Sequence, residues 1–66
     1  MKVRINGVEI LLSQILTLEQ FLGERQLELD SVVVEYNGEI ISRDELAASV
    51  LKDQDEIEVL RFVGGG

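Results

Sequence analysis

Apolar and polar residues alternate in two short runs near the start of the chain. The first run is Lys2-Val3-Arg4-Ile5, and in the second, over residues 8–12, Val8, Ile10 and Leu12 would share one face of a strand. Asn6-Gly7 joins them, and this dipeptide favours a type I′ turn because both central residues need positive φ. The pattern predicts a β-hairpin.

The spacing then becomes helical. Apolar residues recur at the i, i+3 and i+4 positions of one helix face, at Leu18, Phe21 and Leu22. Thr17 precedes them and Gln20 follows it by three residues, which is the spacing of a capping box. We therefore predict that the main helix begins after Thr17. Gly23 weakens its last turn, although residues 24–27 could continue the helix.

The middle of the chain repeats the pattern of two strands followed by a helix. Residues 31–36 are rich in β-branched side chains and predict a strand, which Asn37-Gly38 joins to a short strand over residues 39–41. Ser42 and Glu45 have the capping-box spacing again. They predict a short second helix with one apolar face, formed by Leu46, Ala47, Val50 and Leu51.

A polar turn over residues 52–55 leads into a last predicted strand over residues 56–63. Because a helix precedes this strand, it must return into the sheet, most plausibly beside and parallel to the first strand. The order of elements predicts an α+β fold, a ubiquitin-like β-grasp with a mixed sheet of about five strands, one main helix and one short helix. We expect one domain over residues 1–63 and a flexible glycine tail over residues 64–66.

Composition narrows the function classes. Thirteen acidic and six basic residues give a net charge of −7, which argues against nucleic acids and anionic membranes as partners and favours a basic protein surface. The chain has no Cys and no His, so it lacks the commonest nucleophile, general base and metal ligands, and we expect neither an enzyme nor a metal site. No segment is apolar enough to span a membrane, and a monomer in the cytoplasm is expected.

The sequence ends with Gly64-Gly65-Gly66 directly after the last strand. Glycine keeps the backbone slim, and three extended residues reach roughly 10 Å, so this tail could enter a narrow channel of another protein and present its carboxylate there. A cloning remnant or a frayed terminus is the competing interpretation.

With this order and this tail, the chain resembles the ThiS family of sulfur carriers, the small ubiquitin-like proteins of thiamine thiazole synthesis. The resemblance covers nearly the whole length. It rests on five segments, Met1-Lys2-Val3-Arg4-Ile5-Asn6-Gly7, Thr17-Leu18, Val34-Glu35-Tyr36-Asn37-Gly38-Glu39-Ile40-Ile41-Ser42-Arg43, Asp55-Glu56-Ile57-Glu58-Val59 and Phe62-Val63-Gly64-Gly65-Gly66.

Three positions depart from the family pattern. Ser42 stands where a proline is frequent, and Gly64 precedes the usual pair of glycines. Gln54-Asp55 replaces the usual Gly-Asp before the last strand. Glutamine tolerates positive φ poorly, so the sequence alone does not determine the geometry of that turn.

The resemblance implies that Gly66 is the reactive residue. A ThiF-like adenylating enzyme would use ATP and Mg²⁺ to activate its carboxylate, and a sulfur donor such as a cysteine desulfurase would convert it into a thiocarboxylate. A ThiG-like thiazole synthase would accept the sulfur. Gly64 and Gly65 would thread into the partner, and this chain would bind no cofactor itself.

Docking residues are expected beside the tail. Leu60 and Phe62 share one strand face and could form an apolar docking patch or could pack against the helix as core. Arg61 could pair with an acidic group of a partner or be an ordinary surface charge. Three alternative functions remain, namely a molybdopterin-type sulfur carrier, a ubiquitin-like modifier of target lysines, and a β-grasp interaction module without tail chemistry.

Overall fold

The computed structural model describes residues 1–61. Five strands and two α-helices follow the predicted order, with a 3-10 turn at Leu29–Ser31. The elements are β1 (Lys2–Ile5), β2 (Val8–Leu11), α1 (Leu18–Glu24), β3 (Val32–Tyr36), β4 (Glu39–Ile41), α2 (Arg43–Ala48) and β5 (Glu56–Arg61).

The strands form one mixed sheet in the order β2-β1-β5-β3-β4. Strand β5 lies in the centre, parallel to β1 and antiparallel to β3. The β1–β2 hairpin lies on one side of it and the β3–β4 hairpin on the other. The predicted return of the last strand beside the first is therefore confirmed. The arrangement is the predicted α+β ubiquitin-like β-grasp.

Both Asn-Gly pairs form the predicted turns. Asn6 and Gly7 have φ values of 48° and 83°, and Asn37 and Gly38 have values of 51° and 87°. All four residues thus occupy the left-handed region that type I′ turns require. Each turn fixes the register of its hairpin, with Ile5 opposite Val8 in the first.

Helix α1 begins as predicted and ends earlier than the sequence allowed. The backbone N–H of Gln20 donates to Thr17 Oγ1 at 3.1 Å, and Gln20 Oε1 accepts from the Thr17 N–H at 2.9 Å, so the capping box is complete. Of the possible continuation over residues 24–27, only Glu24 is helical, and the rest is wrong. Gln26 has φ +59°, its N–H donates to the Gly23 carbonyl and that of Leu27 to Leu22, which is the Schellman ending of a helix.

Helix α2 has the predicted capping box but a smaller apolar face than expected. Leu46 is buried, whereas Ala47 is exposed. Val50 and Leu51 lie beyond the helix, which ends at Ala48. Leu51 reaches the core from an extended segment, where its N–H donates to the Leu16 carbonyl at 2.9 Å. Of the predicted four-residue helix face, only Leu46 is both helical and buried, while Leu51 is buried from outside the helix.

The core lies between α1 and one face of the sheet. Its buried residues come from every layer of the fold, namely Val3, Leu16, Leu18, Phe21, Leu22, Val34, Leu46, Leu51 and Ile57. The helices cover only this face, so the opposite face of the sheet is open. Within residues 1–61, no helix has the length and apolar character needed to cross a bilayer.

Candidate functional site

The strand that leads towards the glycines is held on both sides. Ile57 pairs with Ile5 of β1, and Arg61 pairs with Val32 of β3. The pairing with β1 covers only the start of β5, and beyond it the Asn6 side chain accepts the Val59 N–H at 2.8 Å, whereas the ladder with β3 continues to Arg61. The ladder with β3 therefore fixes β5 up to its last described residue. The predicted threading residues Gly64 and Gly65, the predicted reactive Gly66, and Phe62 lie outside the described residues, as does the proposed boundary after residue 63.

An apolar patch lies on the open face, close to the end of β5. Leu60 is directly opposite Val33 and is 57% exposed. Ile40, from the neighbouring strand β4, is 72% exposed on the same face. We call Val33, Ile40 and Leu60 the open-face patch. Leu60 is therefore not part of the helix-facing core, which was the competing interpretation, while its docking role stays a prediction.

Two carboxylates border the open-face patch without a cation between them. Glu35 is directly opposite Glu58 on β5, and Ile40 is its partner on β4. Among the described residues neither glutamate forms an ion pair, whereas Glu56 and Glu9 both contact Arg4 at 3.5 Å. Like charges directly opposite on a sheet are destabilising, by roughly 0.2–1 kcal/mol. The patch therefore has a locally negative border.

The structure does not bring Arg61 together with Leu60. Successive strand residues point to opposite faces, so Arg61 lies on the helix side with Val59. There it lines a groove with Val59 and Arg25. The predicted docking residues thus divide between two faces, and the sequence analysis missed Val33 and Ile40. Their positions opposite Leu60 and Glu35 depend on the register across strands, which the alternation within one strand does not reveal.

A buried carboxylate secures the turn before β5. Asp55 is 4% exposed, and its Oδ2 accepts from the Tyr36 hydroxyl and from the Lys52 N–H at 2.8 Å. Its Oδ1 accepts from Asn37 Nδ2 at 3.1 Å, while Asn37 Oδ1 accepts from the Glu56 N–H at 2.8 Å. The network joins the β3–β4 hairpin to the start of β5.

Burial and hydrogen bonding act in opposite directions on the pKa of Asp55. Burial raises it, but hydrogen bonds from Tyr36, Lys52 and Asn37 outweigh burial and hold the pKa below its ordinary value. For Tyr36, burial comes first and the bond to the Asp55 carboxylate adds to it, which raises the pKa to about 12. The pair is therefore a neutral phenol and a charged carboxylate over the physiological range.

The turn that departs from the family pattern keeps a left-handed residue. Gln54 has φ +73°, although glutamine adopts this region reluctantly. Its N–H donates to the Lys2 carbonyl at 2.6 Å, and Asp53 Oδ1 accepts from the Lys2 N–H at 2.7 Å. That backbone donor lowers the pKa of Asp53. Contacts with β1 thus impose the turn on a residue that does not favour it.

The described residues contain no cluster of three or more side chains that could hold a metal ion. The chain has no His and no Cys. The features that the structure places around the end of β5 are an apolar patch with acidic neighbours on one face and a groove with arginines on the other.

The fold defines the class. A central last strand in a five-stranded mixed sheet, covered on one side by a single main helix, is the architecture of ubiquitin-like β-grasp proteins. The family follows from comparison of the sequence with known proteins. The chain belongs to the ThiS family, whose model matches residues 2–66.

Individual relatives agree with this assignment. The chain is 44% identical over 50 residues to the sulfur carrier protein ThiS of Bacillus subtilis. The aligned region covers 76% of each sequence. It also superposes on the crystal structure of a thiamine biosynthesis protein (ThiS) from Geobacter metallireducens with a TM-score of 0.84, at 32% identity and full coverage of both chains.

Two further relatives are much longer. The chain is 39% identical over all 66 residues to a thiazole synthase of Paramagnetospirillum magneticum and 38% identical to one of Magnetococcus marinus. In both cases it spans about 20% of the length of the relative.

Proposed function

We propose that this chain is a sulfur carrier whose Gly66 carboxylate is converted into a thiocarboxylate that supplies sulfur for the thiazole ring of thiamine. The observation that supports this most is that the ThiS family match runs to residue 66 and therefore includes the glycines. The central position of β5 adds physical support, since the sheet holds the strand that precedes the tail up to Arg61.

The proposed chemistry has three steps. A carboxylate is a poor acyl donor, so transfer of AMP from ATP to a Gly66 oxygen, with release of pyrophosphate, provides a leaving group. The terminal sulfur of a persulfide then forms a bond to the acyl carbon as AMP departs. A thiol then attacks the sulfur that is attached to the donor in the resulting acyl disulfide. This attack forms a new disulfide between the thiol and the donor, and it releases the thiocarboxylate.

The partners would supply the catalytic groups, and this chain would supply the reacting carboxylate and the surfaces that identify it. We assign adenylation to a ThiF-like enzyme that uses ATP and Mg²⁺, the persulfide to a cysteine desulfurase, and sulfur acceptance to a ThiG-like thiazole synthase, in the cytoplasm. The similarity to two thiazole synthases supports the last assignment. The open-face patch and the negative border beside it would contact an apolar and basic surface of the adenylating enzyme.

Intact-mass measurement tests the chemistry. The protein is incubated with its adenylating enzyme, ATP, Mg²⁺ and a persulfide donor, and replacement of one oxygen by sulfur is expected to raise its mass by about 16 Da. The starting mass also shows whether Gly66 is the last residue of the natural protein. A variant that lacks Gly65 and Gly66 no longer ends in two glycines, and it is expected to melt at the same temperature and to remain unmodified. An unmodified wild-type protein with an enzyme that is active on another carrier would refute the proposal.

A second measurement tests the docking surface. Leu60→Ala removes the centre of the open-face patch and is expected to weaken binding to the adenylating enzyme by roughly tenfold, as loss of an apolar anchor does. Leu11→Ala is the matched control, because Leu11 is 79% exposed on the same face but lies on the distant edge strand β2. Equal affinities of the two variants would exclude the patch from this interface.

A further inference from the structure

A groove lies on the helix side of the sheet, between the tip of the first hairpin, the end of α1 and the end of β5. Its volume is about 640 Å³. Helix α1 ends at Glu24 and leaves this part of the sheet uncovered. The apolar side chains that line the groove are Ile5, Val8, Ile10, Leu27 and Val59.

The walls of the groove are fixed by hydrogen bonds. Asn6, at the tip of the hairpin, accepts the Val59 N–H with its Oδ1 at 2.8 Å, and its own N–H donates to the Ile57 carbonyl at 2.9 Å. On the other side, the Schellman ending of α1 positions Leu27. The groove is therefore largely preformed, and binding of a ligand would require little free energy for ordering its walls.

Within residues 1–61, two arginines line the groove and no carboxylate does. The Arg25 guanidinium lies 4.7 Å from the centre of the Phe21 ring, a cation–π contact that helps to orient it. Arg61 approaches from the end of β5. Ion pairs between described residues use Lys2, Arg4 and Arg43 but neither of these arginines. In a chain of net charge −7, two of the six basic residues thus converge on one apolar groove.

We propose that this groove is a second docking point for the partner protein that holds the glycine tail. The occupant is a segment of that partner with an apolar side chain flanked by carboxylates. The apolar side chain fills the groove, and the carboxylates pair with Arg25 and Arg61. The inference rests on the proposed function, because Arg61 belongs to the strand that leads towards the tail and a partner that holds the tail lies beside it.

The two faces then recognise opposite charges. The open-face patch has Glu35 and Glu58 at its border, whereas the groove has Arg25 and Arg61. A partner that contacts both faces can bind in only one orientation, since a half-turn of the carrier would place like charges together. Such a partner would present a basic surface to the open face and an acidic segment to the groove.

Charge reversal at Arg25 tests its proposed pairing with carboxylates of the partner. Arg25→Glu is expected to weaken binding to the adenylating enzyme or the thiazole synthase by roughly tenfold at low salt, and the difference is expected to shrink at high salt, where charges are screened within about 3 Å. Arg43→Glu is the control with the same change in charge, on α2 and outside the groove. Arg25→Lys keeps the charge and is expected to retain most of the affinity. Melting temperatures establish that each variant folds.

A second pair of variants tests the apolar part. Val8→Thr keeps the branched shape and adds a hydroxyl in the groove, and it is expected to weaken the same complex roughly threefold or more. Val50→Thr makes the same change at a similarly exposed valine outside the groove. Unchanged affinity in Arg25→Glu and Val8→Thr for both partners would overturn the inference.

The outcomes separate this inference from the proposed function. If wild-type protein gains sulfur while Arg25→Glu and Val8→Thr bind both partners as tightly as their control variants, the groove inference alone is wrong. If wild-type protein gains no sulfur, the proposed function is wrong. Titration with octanoate provides the last arm. Octanoate that binds the groove in nuclear magnetic resonance spectra without competing with either protein partner would reassign the groove to a small amphipathic anion and overturn the proposal.

Discussion

Asp55→Asn is a sharp test of how the base of β5 is held. The carboxylate accepts three hydrogen bonds, from Tyr36, Lys52 and Asn37. A carboxamide has only one oxygen. If that oxygen occupies the Oδ2 position, the new NH₂ group faces Asn37 Nδ2, and Asn37 cannot rotate its amide because its Oδ1 already accepts the Glu56 N–H. If the oxygen occupies the Oδ1 position, the Tyr36 and Lys52 donors both face an NH₂ group.

At least one donor therefore loses its acceptor, the new NH₂ group lies at a position that is only 4% exposed, and the remaining bonds are no longer charge-assisted. An unsatisfied buried donor costs about 1–3 kcal/mol. A neutral amide costs less to bury than a charge, which offsets part of the loss, so we expect the free energy of unfolding to fall by about 2 kcal/mol at neutral pH. The total free energy of unfolding of a domain of 66 residues is roughly 3–10 kcal/mol.

The pH dependence follows from the direction of each pKa. Asp55 has a lowered pKa in the folded state, so its contribution is present above its unfolded value of about 3.9 and is lost as the pH falls through the folded value. Tyr36 has a raised pKa, so its contribution is complete below its unfolded value of about 10 and is lost as the pH rises through about 12. The difference between wild type and Asp55→Asn should therefore narrow in acid.

Urea denaturation and absorbance titration provide the measurements. With a slope of about 1 kcal/mol/M, the variant should unfold at a urea concentration about 2 M lower. Tyr36 is the single tyrosine and the chain has no tryptophan, so its ionisation is read directly from ultraviolet absorbance. Its pKa should move from about 12 towards its ordinary value in the variant. Equal urea midpoints, or the same tyrosine titration in both proteins, would refute this account of the network.

Other predictions concern the turn, the acidic border and the helix cap. Gln54→Gly should raise the free energy of unfolding by about 0.5–1 kcal/mol in urea melts, because glycine adopts positive φ without strain, whereas Gln14→Gly should lower it. Glu58→Lys should stabilise the fold by about 0.5–1 kcal/mol, since it replaces repulsion across β3 and β5 by attraction, but should weaken binding to the adenylating enzyme. Glu39→Lys, which changes the charge by the same amount outside that pair, should leave binding unchanged. Thr17→Ala should cost about 1 kcal/mol and lower the melting temperature, and a cost below the error of the measurement would mean that the capping box contributes nothing.

Local sequence signals predicted most of the fold. The two Asn-Gly turns and the two capping boxes each depend on residues within four positions of one another, and all four are confirmed. The parallel pairing of β1 with β5 followed from chain connectivity, since a helix precedes the last strand. These features were predictable because they need no knowledge of the register between distant segments.

Features that depend on distant segments were not predictable. The sequence placed Asp55 in a polar turn and gave no sign that Tyr36 and Asn37, almost twenty residues earlier, would donate to it. The open-face patch likewise joins residues of β3, β4 and β5 through their register. Gln54 has positive φ, which residue preference alone disfavours, and its hydrogen bond to the Lys2 carbonyl of β1 outweighs that preference.

The energetics of the sheet bear on the function of its two faces. A carboxylate pair such as Glu35 and Glu58 lowers stability, and Ile40, which is 72% exposed, contributes little to it. Both features lie on the open face next to the end of β5, and the network around Asp55 offsets part of the cost of the pair by securing the start of the same strand. Selection for stability alone would favour a lysine at one of the two glutamates. Their pairing beside an apolar patch is therefore better explained by recognition of a basic and apolar partner surface than by solubility.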